Sequence, residues 1–207
     1  VGQIARQVGY LFQNPDHQIF APTVRKEIAF GLRKLGFSTL ETERRVEEGL
    51  ALFGLESYAD RPPAMLGYGL RRQVTVASLF ALRPPILILD EPTTGLDWAN
   101  TQLLVDHLEE LRRAGHTILL ITHDMRLVSD RAERVLLLHQ GQVLTQGATR
   151  EILARPELLA RVSASPAPVT RLSHELRAWG MRGDSLTVEA FYREVVTLLS
   201  AVRGGSR

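Results

Sequence analysis

Twelve consecutive residues, Ile86-Leu87-Ile88-Leu89-Asp90-Glu91-Pro92-Thr93-Thr94-Gly95-Leu96-Asp97, constrain this chain more than any other stretch. Four aliphatic residues run unbroken and stop at two carboxylates. A short apolar run bounded by turn residues predicts a strand buried inside a parallel sheet. Pro92 and Gly95 prevent the strand from continuing. Asp90 and Glu91 therefore fall at its carboxyl end, the edge where open α/β sheets bind ligands. Adjacent carboxylates repel unless a cation or a shared proton compensates them. One can hold a hard metal such as Mg²⁺ through oxygen, and the other can orient and polarise a water. A lone Asp-Glu pair would read as an acidic loop capping the next helix; the complete string argues against that.

A second strand, Thr117-Ile118-Leu119-Leu120-Ile121, also ends in polar residues, Thr122-His123-Asp124. A helix from Asp97, with Leu104, Leu108 and Leu111 on one face, separates the two strands. Such a crossover keeps strands parallel and puts His123 on the same sheet edge as Asp90 and Glu91. Upstream, Val8–Phe12 reads as a strand ending at Gln13, and Asn14-Pro15-Asp16 as a turn. Thr23 is a helix N-cap before Val24, Ile28 and Leu32, and Ser38–Glu41 has capping-box spacing. A helix with Val46, Leu50 and Phe53 on one face follows. In Leu66-Gly67-Tyr68-Gly69-Leu70, glycines at a helix start let the backbone approach a phosphate. The helix to Leu82 is apolar on most faces and so buried. For Arg71 and Arg72 a solvated helix charge is one of two readings of equal weight. Downstream, Val135–His139 and Gln142–Thr145 form a hairpin around Gln140-Gly141, and Gly147–Glu151 opens a helix. Ser163–Pro168 is a linker by composition. Val169–Trp179 and Val188–Val202 are amphipathic helices, the second capped by Thr187.

Composition limits the function classes. The 207 residues carry a net charge of +2, which gives no sign of a bulk nucleic-acid binder. There is no cysteine, which excludes disulfides, thiolate metal sites and a cysteine nucleophile. No apolar run approaches the roughly 18 residues of a membrane span. The six histidines include His107, His116, His139 and His174, none with metal-ligand spacing, and His17, to which no chemistry is given.

The Ile86–Asp97 string closely resembles the Walker B motif and D-loop of ATP-binding-cassette (ABC) ATPases. The resemblance implies Asp90 as the Mg²⁺ ligand, Glu91 as the catalytic base, and Asp97 as the aspartate that reaches across a dimer interface. Phe12-Gln13-Asn14-Pro15-Asp16-His17-Gln18-Ile19-Phe20 resembles the Q-loop of the energy-coupling-factor importers. There the glutamine, here Gln13, meets Mg²⁺ and the attacking water, and the loop faces the membrane partner. Residues 66–70 stand where the family carries Leu-Ser-Gly-Gly-Gln, with Gly67 for the serine, Tyr68 for the first glycine and Leu70 for the glutamine. Gly67 and Gly69 are carried over as backbone contacts to the nucleotide of the opposite subunit. His123 resembles the H-loop histidine, contacting the γ-phosphate and partnering Glu91.

The resemblance implies an α/β parallel-sheet P-loop NTPase core, with a helical subdomain at about 24–82. The expected organisation is a partial ABC ATPase domain over 1–162, a linker over 163–168 and a helical extension over 169–207. It implies ATP and Mg²⁺ as cofactors and a second ABC ATPase subunit, identical or different, as partner. A transmembrane coupling protein and a substrate-binding membrane protein are further implied partners, with no nucleic acid. The expected role is ATP hydrolysis at the cytoplasmic face of the membrane, powering uptake of a metal ion or vitamin. A soluble ABC ATPase acting on DNA or the ribosome, or an inactive regulatory subunit, are the alternatives. The family's Gly-rich loop ending in Gly-Lys-[Ser/Thr] is absent from the sequence; the only lysines are Lys26 and Lys34. The chain, opening on Val1, is accordingly expected to be N-terminally incomplete. It should lack Walker A and the phosphate-binding strand, and should neither bind ATP tightly nor hydrolyse it alone.

Overall fold

The structure is a computed structural model that describes residues 2–204. The chain divides into two compact units between Ile121 and Thr122.

The first unit is built on a three-stranded parallel sheet in the order β1-β2-β3: β1 (Val8–Leu11), β2 (Ile86–Asp90) and β3 (Thr117–Ile121). The register pairs Leu11 with Leu89, Leu89 with Leu120, and Asp90 with Ile121. Side chains alternate across a strand. Leu11, Leu87 and Leu89 thus share one face and are fully buried, whereas Tyr10, Ile86, Leu119 and Ile121 lie on the other and are exposed. Helices α1 (Gly2–Gln7), α2 (Val24–Lys34), α3 (Thr39–Leu52), α4 (Tyr68–Leu82) and α5 (Trp98–Arg113) complete the unit. Its core gathers Leu11, Leu87 and Leu89 with Val24, Ile28 and Leu32 of α2, Leu50 of α3, Val74, Ala77 and Leu79 of α4, and Leu104 of α5.

The helix starts follow from local chemistry. The Thr23 hydroxyl accepts from the Lys26 N–H, the Ser38 hydroxyl from Glu41, and the Asp97 carboxylate from Asn100 at 2.8 Å. Only half of the expected capping box forms at Ser38. The Glu41 carboxylate turns along the helix instead and accepts from Arg44 and Arg45.

The N-terminal expectation is corrected here. Residues 8–34 fold as strand, loop and helix, the topology on which phosphate-binding loops are built. Its strand, β1, is hydrogen-bonded in parallel to β2, so a strand that precedes such a loop is part of the sheet. The loop between carries Asn14-Pro15-Asp16, a 3₁₀ turn in which Asn14 Oδ1 accepts from the Asp16 N–H, rather than a glycine-lysine string. Its far end is fixed by the buried Glu27, whose Oε2 accepts from the N–H groups of Phe20 (3.0 Å) and Ala21 (2.7 Å).

The second unit opens with α6 (Met125–Arg131), which Asp124 caps through the N–H groups of Arg126 and Leu127. An antiparallel hairpin follows, β4 (Arg134–His139) with β5 (Gln142–Ala148). The second strand runs to Ala148, so the next helix, α7 (Thr149–Leu153), starts two residues later than its sequence suggested. Helices α8 (Pro156–Arg161), α9 (Pro168–Glu175) and α10 (Val188–Gly204) end the unit. Leu137, Ile152, Leu153 and Leu159 form its core. No helix among the described residues is long and apolar enough to cross a membrane.

Candidate nucleotide site

Asp90 is the last residue of β2, and Glu91 follows it at the sheet's carboxyl edge. Asp90 Oδ2 lies 3.3 Å from the Tyr10 hydroxyl of the neighbouring strand, which donates to it. Burial pushes the Tyr10 phenol up from its ordinary range, and the Asp90 charge adds to that shift. Glu91 has φ +45, in the left-handed region that a residue with a Cβ rarely occupies. Two main-chain groups fix it there. Its N–H donates to the Ile121 carbonyl at 2.8 Å, and its own carbonyl accepts from the Thr94 N–H at 3.2 Å. A backbone held this way aims one side chain at the cost of local strain, which is characteristic of functional sites.

Gln13 lies two residues beyond β1, with an exposed side chain and a carbonyl that accepts from α4. Gly67 is the N-cap residue of α4, has no side-chain cap, and is exposed. A Cβ built there meets nothing within 4 Å. At Gly69 a Cβ would come 3.1 Å from the Gly95 carbonyl oxygen. At Gly95, where φ is +79, a Cβ would come within 2.4 Å of the Tyr68 ring. The start of α4 is therefore laid directly on the Pro92–Gly95 loop, and glycines make the approach possible. This 15-residue helix starts without a side-chain cap, which leaves its first-turn N–H groups to other partners.

Asp97 caps α5 and is exposed. His123 belongs to the second unit, two residues after β3, and is exposed. The first unit thus brings together Gln13, Asp90 and Glu91 around α4, with Gly67 and Gly69 at the start of that helix and Asp97 at the end of the loop that follows β2. Of the remaining histidines, His107 pairs with Glu110 and packs edge-on to Phe53 and Phe80, and His116 bonds the Pro84 carbonyl.

One residue at this site escaped the sequence reading. Arg72 is completely buried, and its guanidinium is ringed by main-chain carbonyls. Nε lies 3.4 Å from the Pro92 oxygen, and Nη2 lies 2.8 and 2.6 Å from those of Asp90 and Glu91. Nη1 donates to Phe12 and Gln13. Burial pulls this guanidinium below the usual arginine range, with Tyr68, Asp90 and Glu91 acting against that shift. Its neighbour Arg71 points to the loop, 2.9 Å from Asp16 Oδ1.

The donor set fits Mg²⁺ with a phosphate ligand. Mg²⁺ keeps several waters and takes one or two carboxylates plus phosphate oxygens rather than a full protein cage. A single half-buried Asp90 carboxylate, on a segment that Arg72 joins to Gln13, is that kind of donor set. Among the described residues no group of three or more His, Asp or Glu forms a cage.

The sequence profile described as ABC transporter matches residues 2–94. The energy-coupling factor transporter ATP-binding protein EcfA of Methanothermobacter thermautotrophicus is 40% identical over 198 residues, 95% of this chain and 64% of that protein. The EcfA of Methanoculleus marisnigri is 38% identical over 185 residues, 89% of this chain and 67% of that protein. The solved structure of cbiO1 from Clostridium perfringens, part of the ABC transporter complex cbiONQ, has a TM-score of 0.64 at 30% identity. That alignment covers 84% of this chain and 69% of that one. The chain spans under two thirds of the length of several other curated relatives, and only 29–31% of three of them. A profile match beginning at residue 2 supports the fold correction above. It also overturns the expectation that hydrolysis awaits a missing segment.

Proposed function

As a member of the ABC transporter ATP-binding proteins, on the energy-coupling-factor branch, this chain is, we propose, the ATP-hydrolysing subunit of an importer for a metal ion or vitamin. The observation that carries the reading is the carboxylate pair at the sheet edge, with Glu91 fixed in a left-handed backbone. Family membership implies ATP and Mg²⁺ as cofactors. When bound, they supply a transferable phosphoryl group and charge neutralisation on its oxygens.

The chain's own residues then divide the work. Asp90 offers a carboxylate oxygen to the metal, and Gln13 offers its side-chain amide to metal and water. Glu91 accepts the proton of the attacking water at its carboxylate. Family membership gives the His123 imidazole a γ-phosphate oxygen to hold. Gly67 and Gly69 direct main-chain N–H groups at the nucleotide of a second cassette, and Asp97 reaches across to that cassette. The exposed Phe20, packed edge-on against Phe30 at 4.4 Å, gives the Gln13–Phe20 loop an apolar contact point for a transmembrane coupling protein. A substrate-binding membrane protein completes the assembly, which sits peripherally on the membrane's cytoplasmic face.

Phosphate release by the assembled complex tests the reading. Glu91→Gln is expected to keep ATP binding while slowing hydrolysis by about 10²- to 10⁴-fold, the usual cost of removing a positioned base. Turnover within a few-fold of the unaltered protein would refute it.

A further inference from the structure

We infer that Arg72 is the positioning residue of this site: it clamps the main chains of residues 12–13 and 90–92 into one piece and so sets the backbone from which Glu91 projects. The inference rests on the proposed role of Glu91 and deepens it. A guanidinium has five N–H donors in a rigid planar fork. Here all five are used: one on Pro92, two on Phe12 and Gln13, and two on Asp90 and Glu91. Every acceptor is a main-chain carbonyl, and the acceptors come from two segments about 80 residues apart in sequence. A buried cation normally answers to a carboxylate. This one is held by carbonyl dipoles and bonds the backbone of Asp90 and Glu91 rather than their side chains.

The geometry also explains how Glu91 keeps its unfavourable φ. Its N–H is taken by Ile121, and its carbonyl accepts both from Thr94 and from Arg72. Removing the guanidinium leaves that carbonyl held by Thr94 alone and lets the 90–92 segment relax toward ordinary backbone. The same change releases the Gln13 carbonyl, which Tyr68, one helical turn before Arg72, also approaches at 3.5 Å. Lysine cannot replace the clamp, because an ammonium has three donors on one atom and cannot span two segments.

The test uses the full chain, with hydrolysis read in its assembled complex. Arg72→Lys is expected to raise amide exchange at least tenfold over residues 12–14 and 90–94 while leaving α3 unchanged. It should lower kcat at least tenfold with KM for ATP within about threefold. In the Glu91→Gln background it should cost little more. Exchange that rises evenly through the unit, or a kcat that does not move, overturns the inference. Should Arg72→Lys not fold, the unaltered chain still decides. The Nε–H of Arg72 must exchange with solvent at least a hundredfold more slowly than that of the exposed Arg113, and an equal rate overturns the clamp. Hydrolysis insensitive to Glu91→Gln would instead strike at the proposed function, leaving the exchange data to judge Arg72 separately.

Discussion

Alanine at position 95 should damage the first unit more than its surface location suggests, and the damage should be traceable to one ring. Gly95 has φ +79, where an L-residue costs about 1–2 kcal/mol. The new Cβ would lie 2.4 Å from Tyr68 Cε1 and 2.5 Å from Cδ1, so the ring or the loop must move. Overpacking of that kind costs about 1–3 kcal/mol. The two contributions place Gly95→Ala at about 2–5 kcal/mol. In a Tyr68→Ala background the clash disappears and only the backbone part remains, so the cycle should show a coupling of about 1–3 kcal/mol. Native-state hydrogen exchange at the β2 amides reads the opening free energy of this unit without assuming that both units unfold together. A cost below about 1 kcal/mol, or the same cost with and without Tyr68, would refute the claim that α4 is seated on the Pro92–Gly95 loop.

Two further expectations follow from the geometry. Gly67→Ser finds open space at the N-cap of α4, so stability should change by only a few tenths of a kcal/mol, within about 0.5. In a heterodimeric complex the same change should raise turnover at the partner's nucleotide, where the hydroxyl adds a donor; unchanged turnover in a steady-state assay would show that the N–H groups suffice. Hydrogen bonds from Arg44 and Arg45 hold the Glu41 carboxyl at about 2, below its ordinary 4.5. A lowered folded value stabilises fully above pH 4.5 and is lost as pH falls through about 2. Melting curves across that range should therefore lose part of their pH dependence in Glu41→Gln, and an unchanged dependence would refute the pairing.

Much of this arrangement was legible in the residues themselves. Continuous aliphatic runs with an abrupt polar stop gave β2 and β3, although only one face of the sheet is buried: Ile86, Leu119 and Ile121 on the other face are exposed. Thr23, Ser38, Asp97 and Asp124 stand where side-chain oxygens meet free N–H groups, and each caps a helix. What stayed hidden depends on atoms distant in sequence. The two readings of Arg72 stay balanced until Val76 and Leu79, its neighbours on the same helical face, are seen to be buried. That periodicity was the available signal, but the carbonyls that receive the guanidinium are main-chain groups and leave no mark in the sequence. The N-terminal expectation failed for a related reason: it rested on one string, whereas the strand, loop and helix of residues 8–34 are specified by pattern and caps.

The left-handed backbone at Glu91 has a consequence for how this protein can be improved. Glutamate is a poor occupant of φ +45; asparagine adopts that region readily and glycine freely. Glu91→Asn is therefore expected to raise the opening free energy of the first unit by about 0.5–1 kcal/mol, read at the β2 amides, while removing the proposed base. A loss of stability would mean that side-chain contacts of Glu91 outweigh its backbone strain. If the gain is found, selection of variants for thermal tolerance alone will drift toward a sturdier protein that no longer turns over, with position 91 marking where durability and activity part.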